Sequence, residues 1–204
     1  MLDNLAVDPS ILDAAFCGAS ANVFYPRATV FCRGGSAFRS QLARDLGCLL
    51  DVDDNVAAWS CLRFGFALER GPHVSDFVVH REDGARQAMD AVEGEGNPAV
   101  TAAAARLGID HRFIPRSEIE RGFRLQNAKD ILRYARYRTP LNDRVRVLAA
   151  LEENGTITVS EAFSLFREVQ PMTGISWLVL NRFIRVDLDE AILGPETAIR
   201  RFHR

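Results

Sequence analysis

The stretch SDFVVHREDGARQAMDAV, residues 75–92, carries an aspartate near each end of a predicted β-hairpin. Its two runs of apolar and β-branched residues are typical of strands, and Glu82-Asp83-Gly84 between them is typical of a hairpin turn. Asp76 opens the first run and Asp90 lies near the end of the second. Two carboxylates that meet at one edge of a sheet can hold Mg²⁺, which prefers oxygen ligands and can activate a water.

The flanking sequence alternates between helical and strand-like patterns. A run that begins at Ser36, a possible N-cap, places apolar side chains on one helical face as far as Leu50. Residues 56–62 and 64–68 resemble strands, and residues 24–33 become β-prone at their end. Downstream, Asn97-Pro98 opens an alanine-rich helix, and residues 111–115 form a short apolar run. This order predicts an α/β fold with a mixed sheet between helices.

The second half of the chain is predicted to be mostly helical. Helices are expected at 124–138, 143–153 and 160–169, and a turn at 171–174 leads into a further helix that ends at Asn181. Short strands are expected at 156–159 and 184–188. The order from residue 140 onward is that of a winged helix-turn-helix domain. The predicted organisation is an N-terminal extension at 1–22, an α/β core at 23–116, connecting helices at 117–139 and the winged-helix domain at 140–204.

From Ser36 to Arg138 the chain resembles the TnsA-type transposon endonucleases, members of the restriction-endonuclease-like PD-(D/E)xK superfamily. That family has a helix of the form S-x-L-E-R-D, an aspartate-rich turn, a strand, P-D-F, a D-G turn and a strand that ends in acid-x-lysine. The matching segments here are Ser40 to Asp45 (SQLARD), residues 49–56 (LLDVDDNV), Ser75-Asp76-Phe77, Asp83-Gly84 and Met89 to Val92. The resemblance implies a restriction-endonuclease-like fold and metal-dependent DNA cleavage.

Two of the four implied catalytic positions carry apolar residues. Ala43 stands where the helix acid is expected, and Val92 stands where the lysine is expected, so only Asp76 and Asp90 remain as vestigial catalytic and metal-binding residues. Glu69 or Glu93 could join a metal. The expectation is a degenerate core with no cofactor, and Mg²⁺ if the site is active. Without the family match, the two aspartates would simply cap a strand and face solvent.

Charge divides the chain into an acidic half and a basic half. Residues 1–100 carry a net charge of −6 and residues 101–204 a net charge of +4. A basic helix is predicted at 124–138, where Lys129, the single lysine, shares a face with Arg133 and Arg136 and could follow a phosphate backbone. The alternative is a connecting helix whose arginines pair with the acidic half. The candidate DNA-binding residues are Arg124, Lys129, Arg133, Arg136, Arg138, Arg182 and Arg185.

The third helix of the predicted winged-helix domain has no side chain suited to base readout near its start. Arg182 and Arg185 could contact the DNA backbone, or the domain could bind a protein partner. The four histidines form no ligand pattern, and His73 and His80 are expected at the surface. No apolar run is long enough to span a bilayer, and the four cysteines lack metal-ligand spacing. We therefore expect a cytoplasmic protein with free thiols.

Three functions remain open from the sequence. The first is a DNA-binding protein with an inactive TnsA-like core, acting in transposition, on mobile elements or in regulatory DNA transactions. The second is an active metal-dependent endonuclease that uses Asp76 and Asp90. The third is a protein–protein adaptor or transcription regulator.

Overall fold

The computed structural model describes residues 7–203, and the chain divides into two units, one ending at Glu120 and one beginning at Arg121. The elements of the first unit are α1 Pro9–Ser20, α2 Gln41–Asp51, β1 Val56–Cys61, β2 Gly65–Leu68, β3 Gly71–Val74, β4 Phe77–Arg81, β5 Arg86–Val92, α3 Pro98–Arg106, β6 Asp110–Pro115 and α4 Arg116–Ile119. The elements of the second unit are α5 Arg124–Leu132, α6 Leu141–Asn154, β7 Thr156–Thr158, α7 Val159–Phe163, α8 Pro171–Leu180, β8 Ile184–Val186 and β9 Ala198–Arg201.

The first unit is built on a mixed four-stranded sheet of order β1-β4-β5-β6. β4 pairs antiparallel with both β1 and β5, and β6 pairs parallel with β5. Helix α2 packs against β1 and β5, while α3 packs against β6 and β2. The predicted α/β fold with a mixed sheet flanked by helices is therefore confirmed. The hairpin turn is also confirmed, with Gly84 at a φ of 87° that favours glycine.

Two apolar clusters hold the first unit together. The rings of Phe38, Trp59 and Phe77 pack with centroids 5.5–6.3 Å apart. A second cluster contains Phe66 and Ala88 with the alanine-rich helix α3. Aromatic side chains contribute the largest buried areas in such a core.

Helix α2 begins later than the sequence predicts. The Ser40 hydroxyl accepts from the Ala43 N–H at 3.0 Å, so Ser40 is the N-cap and Ser36 lies in the preceding loop. At the other end Asp51 accepts from the backbone N–H groups of Val30 and Phe31 and from the indole of Trp59. These bonds tie the 30–31 segment to the sheet, although residues 24–33 contribute only a single bridge, at Cys32.

A second hairpin, β2–β3, was only half predicted. Its second strand, β3, begins at Gly71-Pro72, a dipeptide that is typical of turns rather than of strands. The two strands pair with Phe66 opposite His73 and Gly65 opposite Val74. Any Cβ at Gly65 would lie 2.6 Å from the His73 carbonyl oxygen, so glycine permits this close pairing and thereby sets the position of His73.

The second unit combines helices with a three-stranded antiparallel sheet of order β7-β9-β8. Helix α7 is capped by Thr158 in a capping box with Glu161, so it begins at Val159, one residue before the predicted start. The buried Asn127 side chain donates to the carbonyls of Leu188 and Ala191, so it fixes the loop that follows β8.

The helix predicted at 124–138 is shorter in the structure. Helix α5 ends at Leu132, and residues 133–136 form turns. Lys129, Arg133 and Arg136 therefore do not share one helical face as predicted. Within residues 7–203, no helix has the length and apolar character required to cross a membrane.

Candidate functional site at the hairpin acids

Asp76 and Asp90 converge, and one arginine joins them. Arg39, just before α2, donates from Nε to Asp76 Oδ1 at 2.8 Å. Its Nη2 lies 2.7 Å from that same oxygen and 3.3 Å from Asp90 Oδ1. The two carboxylates are 7% and 3% exposed, whereas the arginine side chain is 41% exposed. A guanidinium thus places its positive charge between two buried carboxylates.

The backbone and two histidines occupy the other positions on these carboxylates. Asp76 Oδ2 accepts from the Ala91 N–H at 3.0 Å, and Asp90 Oδ1 accepts from the Asp76 N–H at 2.9 Å. Asp90 Oδ2 lies 2.9 Å from His73 Nε2 and 2.8 Å from His111 Nε2. Every carboxylate oxygen of the pair therefore has a hydrogen-bond donor.

The convergence of His73 and His111 on Asp90 contradicts the prediction that the histidines form no ligand pattern. His73 reaches Asp90 from β3, and His111 reaches it from β6. An ionised carboxylate only accepts hydrogen bonds, so both Nε2 atoms donate. In the neutral ring His111 Nδ1 then accepts from the Thr101 hydroxyl, which lies 3.2 Å away.

The two carboxyls differ in acidity because their surroundings differ. Burial raises the pKa of Asp90, but hydrogen bonds from His111 and His73 outweigh it and hold the pKa well below its usual range. Burial also raises the pKa of Asp76, and here the opposing charge of Arg39 does not overcome it. Asp90 is thus the firmly ionised member of the pair.

The remaining positions implied by the resemblance offer no metal ligand. Ala43 is buried in α2, and Val92 is half-buried at the end of β5. Glu93 pairs with Arg116 at 2.6 and 2.7 Å, and Glu69 is exposed. With only two carboxylates, both bound to Arg39, these residues do not fit the oxygen-rich octahedral shell that Mg²⁺ requires.

The predicted DNA-binding residues belong to the second unit. Arg133 is 68% exposed and lies 3.3 Å from Asp130; Arg136, Arg138 and Arg185 are exposed, while Lys129 and Arg182 are half-buried. Arg124 pairs with Asp189 at 2.7 Å. The structure therefore leaves Arg133, Arg136 and Arg138 as an exposed basic segment immediately after α5.

Sequence reasoning identified the two acids and missed their three partners. His73 and His111 are 17 and 21 residues from Asp90, so no local spacing connects them. The parallel pairing of β5 and β6 connects His111 with Asp90. His111 lies opposite Ala88, and Asp90 is two residues further along β5 on the same face. Arg39 lies far from both acids in the sequence. The one signal for it is the apolar Val92 at the position of the implied lysine, because two buried carboxylates then need another cation.

Comparison with known proteins adds no relative on which to base a function. No protein-family model matches the chain, and no curated protein matches it.

Proposed function

We propose that this protein binds DNA through its second unit and carries a TnsA-like, PD-(D/E)xK-type core that no longer cuts. The observation that carries the proposal is the Arg39 guanidinium between Asp76 and Asp90. Phosphodiester cleavage of this type needs a metal to polarise the phosphate and activate water. Arg39 supplies a fixed charge where the nuclease mechanism needs an exchangeable dication.

The missing side chains support the same conclusion. Ala43 removes an acid that would complete the metal shell, and Val92 removes the cation that would stabilise charge on the phosphorane. Arginine cannot replace lysine as a base because its guanidinium stays protonated. An active enzyme would therefore have to use a different base and displace Arg39 from both carboxylates.

DNA binding is proposed for the second unit because its charge is positive. Residues 121–204 carry a net charge of +4, and residues 1–120 a net charge of −6. The exposed Arg133, Arg136 and Arg138 follow one another within six residues. Arginines in such a segment contact phosphates and release counterions, and this favours duplex DNA over a neutral partner.

A winged helix-turn-helix is the fold proposed for residues 140–204. The order α6, β7, α7, α8, β8, β9 and the antiparallel sheet agree with it. Helix α8 carries no charged side chain, and the loop at 187–197 contains four acids and no base. This domain would therefore contribute backbone contacts rather than base readout, which suits a role in transposition, mobile-element or regulatory DNA transactions.

A protein-binding adaptor is the second candidate, and one cavity favours it. The second unit contains an apolar cavity of about 430 Å³, lined by residues that include Val159, Phe163, Ile175, Val179 and Val186. Phe163 is 43% exposed at this cavity. An exposed aromatic beside an apolar recess is typical of protein-docking sites.

A salt titration of duplex DNA binding tests the proposal. The logarithm of the binding constant should fall linearly with the logarithm of salt, and Arg133→Ala/Arg136→Ala should reduce the slope by about 2. The control is Arg63→Ala/Arg86→Ala, which removes two exposed arginines from the first unit. Salt-independent binding, or no binding, would leave the adaptor as the better explanation.

A plasmid-nicking assay separates the inactive core from an active endonuclease. The wild-type protein should leave supercoiled plasmid intact with Mg²⁺ or Mn²⁺. Metal-dependent nicking that disappears in Asp76→Ala would show that the scaffold still cuts, while the DNA-binding part of the proposal would stand.

A further inference from the structure

We propose that His73, Asp90 and His111 form a binding site for a divalent transition-metal ion of the zinc class. The site goes beyond the DNA-binding proposal and does not depend on it. It is also distinct from a two-carboxylate magnesium site, because it uses the other oxygen of Asp90 and two imidazole nitrogens.

The three donor atoms already face one another. His73 Nε2 and His111 Nε2 lie 2.9 and 2.8 Å from Asp90 Oδ2, and all three atoms fall within 4.8 Å of one another. Tetrahedral zinc with bonds of about 2.0–2.1 Å separates its donors by about 3.3 Å. The donor separations would have to change by at most about 1.5 Å, and three metal bonds would then replace the two hydrogen bonds on Asp90 Oδ2.

The donor set selects the class of metal. Imidazole nitrogens suit Zn²⁺ and its first-row neighbours, whereas Mg²⁺ and Ca²⁺ prefer shells made of oxygen. Asp90 is ionised as a ligand must be, and neutral imidazoles can bind through Nε2. Three protein ligands also leave a fourth position for water, as in catalytic rather than structural zinc sites.

The residues around the three ligands fix the ligand side chains in position, as the outer partners of a metal site do. The Thr101 hydroxyl can accept from His111 Nδ1 once Nε2 binds the metal, which fixes the ring. The Asp76 N–H holds Asp90 Oδ1. The rings of Phe66 and Phe113 pack edge-to-face on His111, with centroids 5.7 and 4.6 Å away, and provide an apolar shell.

The charges nearby tolerate a dication. Arg39 contacts Asp90 through Oδ1, whereas both histidines contact Oδ2, so the carboxyl group lies between the guanidinium and the proposed metal position. Asp76 supplies a second carboxylate that pairs with Arg39. When both carboxyls are ionised, the pair carries one more negative charge than Arg39 neutralises.

Access to the site runs past His73. The side chains of Asp90 and His111 are 3% and 0% exposed, whereas that of His73 is 25% exposed. His73 lies on the two-stranded β2–β3 hairpin rather than in the main sheet. A metal ion can thus enter from the side of the hairpin, and its binding would tie that hairpin to β5 and β6.

Titration calorimetry on the full chain, first stripped with a chelator and then given Zn²⁺, tests this site. We expect one ion per chain, and Co²⁺ should give the visible absorption of a tetrahedral complex. His73→Gln should lower zinc affinity by at least about 100-fold, because loss of a ligand exceeds the 10–100-fold effect of an outer partner. Thr101→Val should lower it by about 10-fold.

The matched control is His80→Gln, which removes a half-buried histidine from β4 outside the cluster. It should bind zinc like the wild type, and circular dichroism should show that His73→Gln remains folded. The proposal fails if the wild type binds no zinc. It also fails if His73→Gln binds as tightly as the wild type, since other groups would then hold the ion.

Discussion

Arg39 determines the chemistry of the candidate site from a position just before α2. Its guanidinium contacts Asp76 and Asp90 and also donates to the Val74 carbonyl at 2.8 Å. Two buried carboxylates repel each other unless a cation lies between them. One half-exposed arginine therefore offsets part of the negative charge of the two carboxyls at the end of the sheet.

Replacing this arginine should make the protein respond to magnesium. Arg39→Met leaves the carboxylates without their counter-ion and should cost about 1–3 kcal/mol of unfolding free energy, less than a fully buried pair because water reaches the site. The vacated position can then accept a dication, so Mg²⁺ should raise the melting temperature of the variant through binding to the native state.

The melting temperature is measured with and without 10 mM Mg²⁺. This concentration is about ten times the dissociation constant of a weak, millimolar site. Arg63→Met is the control, since Arg63 pairs with Asp13 at 3.8 Å on an exposed surface. An equal magnesium response in wild type, control and variant would mean that Arg39 does not stand in for the metal.

At the residue scale, the sequence predicted the acids and not their neighbours. Asp76 and Asp90 were identifiable because a hairpin fixes the relation between its two strands. Arg39 and His111 reach them through tertiary packing, which no local pattern records. In a chain with 24 arginines, a particular arginine also carries little information of its own.

At the scale of the element, α2 places Arg39 because its first turn is fixed by Ser40. The serine hydroxyl accepts from the Ala43 N–H, which would otherwise have no partner within the helix. Ser40→Ala should cost about 1 kcal/mol of unfolding free energy, measured by urea denaturation. Ser36→Ala, four residues earlier in the loop, should have almost no effect. If Ser36→Ala lost more unfolding free energy than Ser40→Ala, Ser40 would not be the N-cap of α2.

Elements with a clear period were predicted well, and elements whose limits depend on packing were not. β1, β4 and β5 follow from alternating or apolar runs, and α3 follows from Asn97-Pro98 and a run of alanines. β3 was missed because Gly71-Pro72 suppresses a strand prediction, although the edge position tolerates both residues. α5 ends at Leu132, six residues before the predicted end, and turns follow it.

At the scale of the whole molecule, the two units carry opposite net charge, and each contains a buried carboxyl whose pKa is lowered by its hydrogen bonds. Asp90 lies in the first unit. In the second unit, Asp143 accepts from the backbone N–H groups of Arg167 and Glu168, both at 3.1 Å, and pairs with Arg146. Burial raises the pKa of Asp143, but these bonds outweigh it and keep the pKa below its usual value.

Both carboxyls should therefore make the fold sensitive to acid. A group whose folded pKa is lower than its unfolded pKa, about 3.9 for aspartate, stabilises the fold above that pH and loses this contribution as the pH falls towards the folded pKa. We expect the contribution of these two carboxyls to the unfolding free energy to decrease from about pH 5 downward. Asp143→Asn should be less stable than the wild type at pH 7 but lose less stability between pH 5 and pH 3.

Urea denaturation followed by circular dichroism gives both quantities. The control is Glu153→Gln, which removes an exposed charge from α6. Parallel pH curves for wild type and Asp143→Asn would show that this carboxyl titrates alike in the folded and unfolded chain.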